Sequence, residues 1–359
     1  MDYRSFLIYL SAIGVINNQI IEIEDFIKKS NISYEELLFN FSKYEKNFKK
    51  STINKLLNYR SDLLDRLYNH CNKNSIDIVT YLDEDYPKNL LSIIDFPRVI
   101  YIKGKLIEED KYSIGIVGSR KHTEYGDVVV NNIVDYLSDY NITIVSGMAY
   151  GVDAISHKRA LKNKMRTIAV LGCGVDVIYP KANENLYNEI ENYGAILSEY
   201  PPLTPPNAFR FPERNRIISG LSIGIIVVEA MLKSGSLITA RIGAEQGREV
   251  FAVPGPINSL YSQGTNKLIK DGAILLSEGK DIMDTFPNIP KVINNISSDM
   301  DLTEQEQKVL NEIRNGVNDI NIISKNLSED ISYINSIVTI LELKELLTSK
   351  GSKVSLNKN

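Results

Sequence analysis

Residues 113–153 read SIGIVGSRKHTEYGDVVVNNIVDYLSDYNITIVSGMAYGVD, and this stretch decides the fold. Two short apolar runs, 114–117 and 142–145, are separated by a helix-length segment, and each leads into a turn that holds glycine and serine. The alternation continues outward, with apolar runs at 167–171, 195–197, 223–228 and 250–253 and helical stretches between them. Runs this short and apolar fit strands buried on both faces, and strands alternating with helices form a parallel sheet covered on either side. The expectation is an α/β fold with a doubly wound, mainly parallel sheet.

Upstream, 76–81 alternate like a strand and 99–102 form another before Gly104, with Pro87 and Pro97 between them, so the central domain is expected over 76–286. Residues 1–75 read as a small helical, SAM-like module. In it Leu7, Leu10 and Ile13, then Ile23, Phe26 and Ile27, then Leu63, Leu64 and Leu67 recur at three- and four-residue steps. Prolines and an Asn/Ser run mark 287–300 as a linker. Beyond it, 301–359 shows capping-box spacing at Thr303 and Glu306, helices over about 304–314, 319–326 and 331–345, and a hairpin around Gly351. That is the texture of a winged-helix-like module. Residues 331–343 contain no Lys or Arg, and 301–359 carry seven basic against nine acidic residues, so the module reads as an interaction or dimerisation element and not as a DNA reader.

Composition narrows the function classes. The 359 residues are 43% hydrophobic and 24% charged, close to the globular average, which excludes disordered and disulfide-scaffold classes. With 41 Lys and Arg against 45 Asp and Glu the formal net charge is -4, so any contact with nucleic acid must come from a local patch. Two cysteines, Cys71 and Cys173, and three histidines, His70, His122 and His157, share no metal-ligand spacing, and no metal is expected. No apolar run reaches the length of a membrane helix. The apolar start after Arg4 has Asp2 beside that arginine and continues at helical spacing, so no signal peptide is read there and the cytoplasm is the expected location.

Ligands of open α/β sheets bind beyond the carboxyl ends of the strands, and the unusual residues cluster there. Gly118-Ser119-Arg120 offers a close backbone approach, a helix cap and a planar cation suited to phosphate, although a plain strand-to-helix turn reads the same way. The next turn begins Ser146-Gly147 and runs to Asp153 and His157, which stand four apart on one helix face as an acid–base pair or as a brace for a helix start. Gly172-Cys173-Gly174 has Val177 where a dinucleotide fingerprint needs glycine, which argues against a nicotinamide cofactor. Phe209-Arg210-Phe211-Pro212-Glu213-Arg214-Asn215-Arg216 is the densest basic and aromatic cluster. Rings interleaved with cations suit single-stranded nucleic acid, unless the phenylalanines plug the core and Glu213 neutralises an arginine. Lys233-Ser234-Gly235-Ser236 offers backbone N–H groups, hydroxyls and a helix start to one phosphate, without the P-loop pattern of an ATP site.

Taken in order, these motifs, with Val253-Pro254-Gly255 and the approach segment Tyr86-Pro87 to Tyr101-Ile102-Lys103-Gly104, resemble the DNA-processing protein A family (DprA, also called Smf) over roughly 76–286. The resemblance implies an extended Rossmann-like domain that binds single-stranded DNA, works as a homodimer and uses no cofactor or catalytic step. It further implies loading of the RecA recombinase onto incoming strands in natural transformation and homologous recombination. By position it assigns Gly118, Ser119, Arg120, Ser146, Gly147, Lys233, Ser234, Gly235 and Ser236 to a phosphate-binding rim. Arg210, Arg214 and Arg216 fall to the strand, or else Arg-Asn-Arg ties the fold together. The N-terminal module departs most from the family, with a glycine-rich helix-hairpin turn reduced to Ile13-Gly14-Val15. Two other classes compete. One is an N-glycosidic hydrolase, whose Pro-Gly-Gly-x-Gly-Thr loop with a following Glu is missing here, since Glu229 lies ahead of Ser234. The other is a sensor that binds a small nucleotide without turnover.

Overall fold

The structure is a computed structural model that describes residues 1–57, 60, 62–292, 302–314, 316–344 and 346–356. The chain begins with helices α1 (Tyr3–Ala12), α2 (Asn17–Ser30), α3 (Tyr34–Phe39), α4 (Lys50–Leu56) and α5 (Leu63–Lys73). The sheet then starts with β1 (Asp77–Thr80), followed by the short α6 (Lys88–Leu91) and β2 (Val99–Gly104). The alternating part runs β3 (Ser113–Val117), α7 (Glu124–Leu137), β4 (Thr143–Ser146), α8 (Val152–Lys162), β5 (Thr167–Val170), α9 (Glu184–Tyr193) and β6 (Ala195–Ser198). It continues through α10 (Arg210–Leu221), β7 (Gly224–Val227), α11 (Gly235–Glu245), β8 (Glu249–Ala252), α12 (Gln263–Lys270), β9 (Ile274–Leu275) and α13 (Lys280–Thr285).

The strands lie in the order β1-β2-β6-β5-β4-β3-β7-β8-β9, and every pair from β6 to β9 is parallel. Only β2 runs the other way, antiparallel to both β1 and β6. The expected doubly wound sheet is therefore present. The reading from sequence lacked β9, whose two residues are too few to show a period. Side chains alternate between faces. Ile114, Ile116, Ile144 and Ile226 share one core with Val130, Ile133 and Val134 of α7, while Val117, Val145, Ile225 and Val227 share another with Ile217, Ile218 and Leu221 of α10. Both faces of the central strands are thus covered, which is why their sequences are continuously apolar.

Chain direction reverses across β3. Strands β4, β5 and β6 step away on one side, and the chain then returns to place β7 on the other. The connections after β3 and β7 leave in opposite directions and open a crevice at the carboxyl edge of the sheet.

Residues 1–292 form one compact unit. Phe6, Leu7 and Leu10 of α1 and Ile23 of α2 are buried in one cluster with Tyr101, Ala169 and Ile196 of the sheet. Polar ties accompany them. Ser11 Oγ and Tyr101 Oη lie 2.9 Å apart, Arg98 pairs with Glu24 at 2.7 Å, and Asn17 Nδ2 donates to the Asp95 and Phe96 carbonyls. The unit extends into the expected 287–300 linker, because Ile289 is buried and Asn141 N donates to Pro290 O. Residues 293–300 of that linker lie outside the described residues.

The second unit carries α14 (Glu304–Arg314), α15 (Ile320–Leu327) and α16 (Ile331–Leu343), then the hairpin β10 (Leu347–Lys350) and β11 (Lys353–Leu356) turning at Gly351. Thr303 and Glu306 bond reciprocally, backbone to side chain, and start α14 as their spacing predicts. Val309, Ile323, Ile334, Leu341, Leu347 and Val354 form its core.

Close backbone approach fixes Gly194 at the head of β6. A β-carbon there would lie 2.0 Å from Thr167 O of the neighbouring strand. Gly194→Ala is expected to lower stability by about 2 kcal/mol or more, whereas Gly235→Ala, which meets open space, stays within about 0.5 kcal/mol. Urea titrations monitored by circular dichroism measure both.

Candidate nucleic-acid interface

The turns after β3 and β7 meet at the switch point. Gly118 lies against α8, where an added β-carbon would touch the Val152 side chain at 2.7 Å. Ser119 O accepts from Val152 N at 3.2 Å, and Ser119 Oγ accepts from Lys121 N at 3.1 Å. Gly151, at φ 76, would carry a β-carbon 2.2 Å from Ser119 O, so only glycine fits there. The start of α8 is thereby held against the Gly-Ser-Arg turn.

Glu229, buried after β7, accepts from Thr123 N at 2.8 Å and Thr123 Oγ1 at 2.6 Å. The carboxylate holds Thr123, the N-cap of α7, and locks the two turns together, so this glutamate is held by the fold. On the far side Ser234 caps α11, with its Oγ 3.3 Å from Ser236 N and 2.7 Å from Ser236 Oγ.

These elements enclose a cleft of about 480 Å³. Gly118, Ser119, Arg120, Arg214, Ser234, Gly235 and Ser236 line it together, with Lys121 and Phe211. Arg120, Lys121 and Lys233 are exposed, and among the described residues no carboxylate pairs with them. Lys233 stands on the turn just outside the lining. The Arg120 guanidinium lies 5.9 Å from the Phe211 ring centre, and Phe211 stacks on Tyr179 at 5.5 Å and 25°. A cation and two rings therefore form a short ladder beside the helix starts.

Other candidates sit behind the rim. Ser146 is fully buried and donates through Oγ to Ile116 O at 2.6 Å, while Gly147 offers its carbonyl to Arg214 Nη1 at 2.8 Å. Arg214 is only 4% exposed and also donates to Val170 O, so it forms the floor of the cleft. Burial raises the Asp153 carboxyl above the usual carboxylate range, and the charge of Arg214 partly pulls it back. Arg216 is turned away as well, bound by Glu199 and by Asp95 at 3.3 Å, and is an internal tie and not a rim cation. Arg210 leaves the rim altogether: its guanidinium lies over the Tyr200 and Phe209 rings at 5.0 and 5.5 Å, and Nη1 donates to Pro205 O.

Asp153 and His157 share α8 without forming an acid–base pair. His157 Nδ1 lies 2.6 Å from Thr167 Oγ1, and Asp153 accepts from Ala149 N at 3.3 Å. Among the described residues no group of His, Cys, Asp and Glu is arranged to hold a metal, and no helix is long and apolar enough to cross a membrane. Sequence reasoning missed Tyr179, which reaches Phe211 only through tertiary packing, and the role of Glu229 as a tie. An acidic residue directly after an apolar strand was the available signal for the latter.

Fold and cleft together define a Rossmann-like protein with helix starts and exposed cations gathered at the switch point of its sheet. The chain belongs to the family of the DNA recombination-mediator protein A, whose family model matches residues 77–287. It is 46% identical over 204 residues to Protein Smf of Escherichia coli K12; the alignment covers 56% of this chain and 54% of Smf, so the chain spans about half of that relative. The X-ray structure of DNA processing protein A from Streptococcus pneumoniae superposes with a TM-score of 0.67 at 35% identity, covering 77% of this chain and 95% of that one. A structure of DNA processing protein A from Helicobacter pylori, described for its single-stranded DNA binding mode, has a TM-score of 0.54 at 32% identity and covers 59% and 95%.

Burial, reinforced by the charge of Arg214, pushes the His157 imidazole down from 6.5 to about 3, so it is neutral in the fold. The unfolded chain takes up a proton below about pH 6.5 that the native chain refuses, so this contribution to stability is complete above that pH and is lost as pH falls. Between about pH 7 and about pH 5 the His157→Gln variant is expected to lose about 2 kcal/mol less stability than the parent, as urea titrations at the two pH values would show.

Proposed function

We propose that this protein binds single-stranded DNA along the rim cleft and, as a homodimer in the cytoplasm, loads the RecA recombinase onto incoming strands in natural transformation and homologous recombination. It does so without a catalytic step of its own. The observation that carries the reading is Arg120: exposed, unpaired among the described residues, set between the starts of α8 and α11 and beside the Phe211–Tyr179 stack.

Helix starts direct backbone N–H groups and a positive dipole end at an anion. Arg120 adds a fork for phosphate oxygens, and ring faces accept any base, so the arrangement suits a strand whose bases are unpaired. The net charge of -4 does not oppose this, because affinity follows the phosphates contacted and the counterions they release. The family membership and the Helicobacter pylori relative support the same reading.

Oligo-dT is expected to bind in preference to a matched duplex, with affinity falling as salt rises. Arg120→Ala is expected to weaken it about tenfold and to reduce the salt slope by about 0.7, the value of one lost phosphate contact. Fluorescence anisotropy across a salt series measures both. Light scattering of RecA on the same strand, with parent and Arg120→Ala protein, tests loading; equal filament growth with and without the parent would reject that step.

A further inference from the structure

The rim cleft reaches inward along α11. Thr239 lies one turn beyond Gly235 on the same helix face and lines the cleft, although it is only 1% exposed. Among the described residues its hydroxyl has no hydrogen-bond partner. The unpartnered polar atoms closed off from solvent belong to Thr52, His157, Arg216, Gln246 and Arg248, so the Thr239 hydroxyl is open to the cleft. A buried hydroxyl left without a partner is costly, and a ligand that accepts from it removes that cost.

The neighbouring groups are donors too. Ser119 Oγ accepts from Lys121 N and keeps its own hydrogen, and the Ser234 and Ser236 hydroxyls, 2.7 Å apart, use one hydrogen between them. With Thr239, three hydroxyl hydrogens in the lining remain free to donate. Charge has the same bias: Arg120, Lys121 and Arg214 line the cleft against the single carboxyl of Asp153, a surplus of two positive charges, and the start of α11 adds its dipole. These features separate two kinds of phosphate. A phosphodiester within a strand has one charge and two unesterified oxygens, and the chain must leave it on both sides. A phosphomonoester carries about −1.5 to −2 charges at pH 7, offers three acceptor oxygens and is attached on one side only. The free hydroxyls and the surplus charge fit the second, and a single attachment lets it reach as deep as Thr239.

We propose that the inner part of the rim cleft holds a phosphomonoester, the terminal phosphate of a DNA strand, with the Thr239 hydroxyl as one of its donors. The assignment rests on the reading of the rim as a phosphate site and adds to it a preference for phosphorylated strand ends. A free mononucleotide presents the same group.

The test uses the full chain with oligo-dT ending in hydroxyls, the same strand phosphorylated at its 5′ or its 3′ end, and dTMP. One of the phosphorylated strands is expected to bind about tenfold tighter than the hydroxyl-ended strand. Thr239→Val, which lacks the hydroxyl, is expected to remove most of that preference and Thr239→Ser to keep it, with thermal melts verifying the fold of both. Arg120→Ala is expected to weaken every strand. Equal binding of the three strands without binding of dTMP, while Arg120→Ala still weakens them all, overturns the terminal site and leaves the rim reading in place. A preference that persists in Thr239→Val overturns the site as well. If Arg120→Ala weakens no strand, the rim reading fails and the terminal site falls with it. Binding of dTMP that Thr239→Val removes supports the site with a free nucleotide as occupant; an end preference lost in Thr239→Val, without dTMP binding, supports it with a strand end.

Discussion

The buried guanidinium of Arg214 is the constraint on which the site depends. It rises from α10 and donates to Gly147 O and Val170 O, carbonyls at the carboxyl ends of β4 and β5. An arginine removed from water must have its donors filled, and a parallel sheet leaves such carbonyls free at this edge. Two strands and α10 are thereby joined at one point. Removing the guanidinium would leave both carbonyls without that donor in the interior, a larger penalty than losing a surface contact. The glycine at 147 follows from the same contact, since a β-carbon there would lie 2.4 Å from the guanidinium.

That junction positions the rim. Because the Gly147 carbonyl is anchored, the turn to Gly151 is fixed, with Asn183 Nδ2 holding Met148 O at 2.9 Å, and α8 starts against Ser119. Glu229 then joins the β3 and β7 turns through Thr123. The result is a set of helix starts with their N–H groups converging on one crevice, an electrostatic arrangement that needs no excess of surface cations.

Charge is sorted by depth. The three arginines of the Phe209–Arg216 cluster are all engaged, by rings, by carbonyls or by carboxylates. The cations left facing solvent at the rim are Arg120, Lys121 and Lys233, which come from two different turns. The N-terminal helices contribute in another way: they bury Phe6, Leu7 and Leu10 against the sheet in one core with Tyr101, Ala169 and Ile196.

The sequence by itself determined the α/β class, the parallel strands from β3 to β8 and the turns that carry Gly118, Ser119, Arg120 and Ser234 to Ser236. All of these rest on local signals: apolar runs of strand length, helix caps and glycines at close approaches. It also showed where the arginines cluster. Only the tertiary structure decided which of them face a ligand, because burial depends on what packs against a helix face. Arg214 and Arg216 are two apart yet enter different environments, one beneath Gly147 and one against Glu199. The same holds for Tyr179 on Phe211 and for Glu229 on Thr123, pairs separated along the chain whose contact exists only once the sheet order has brought their turns to the same edge.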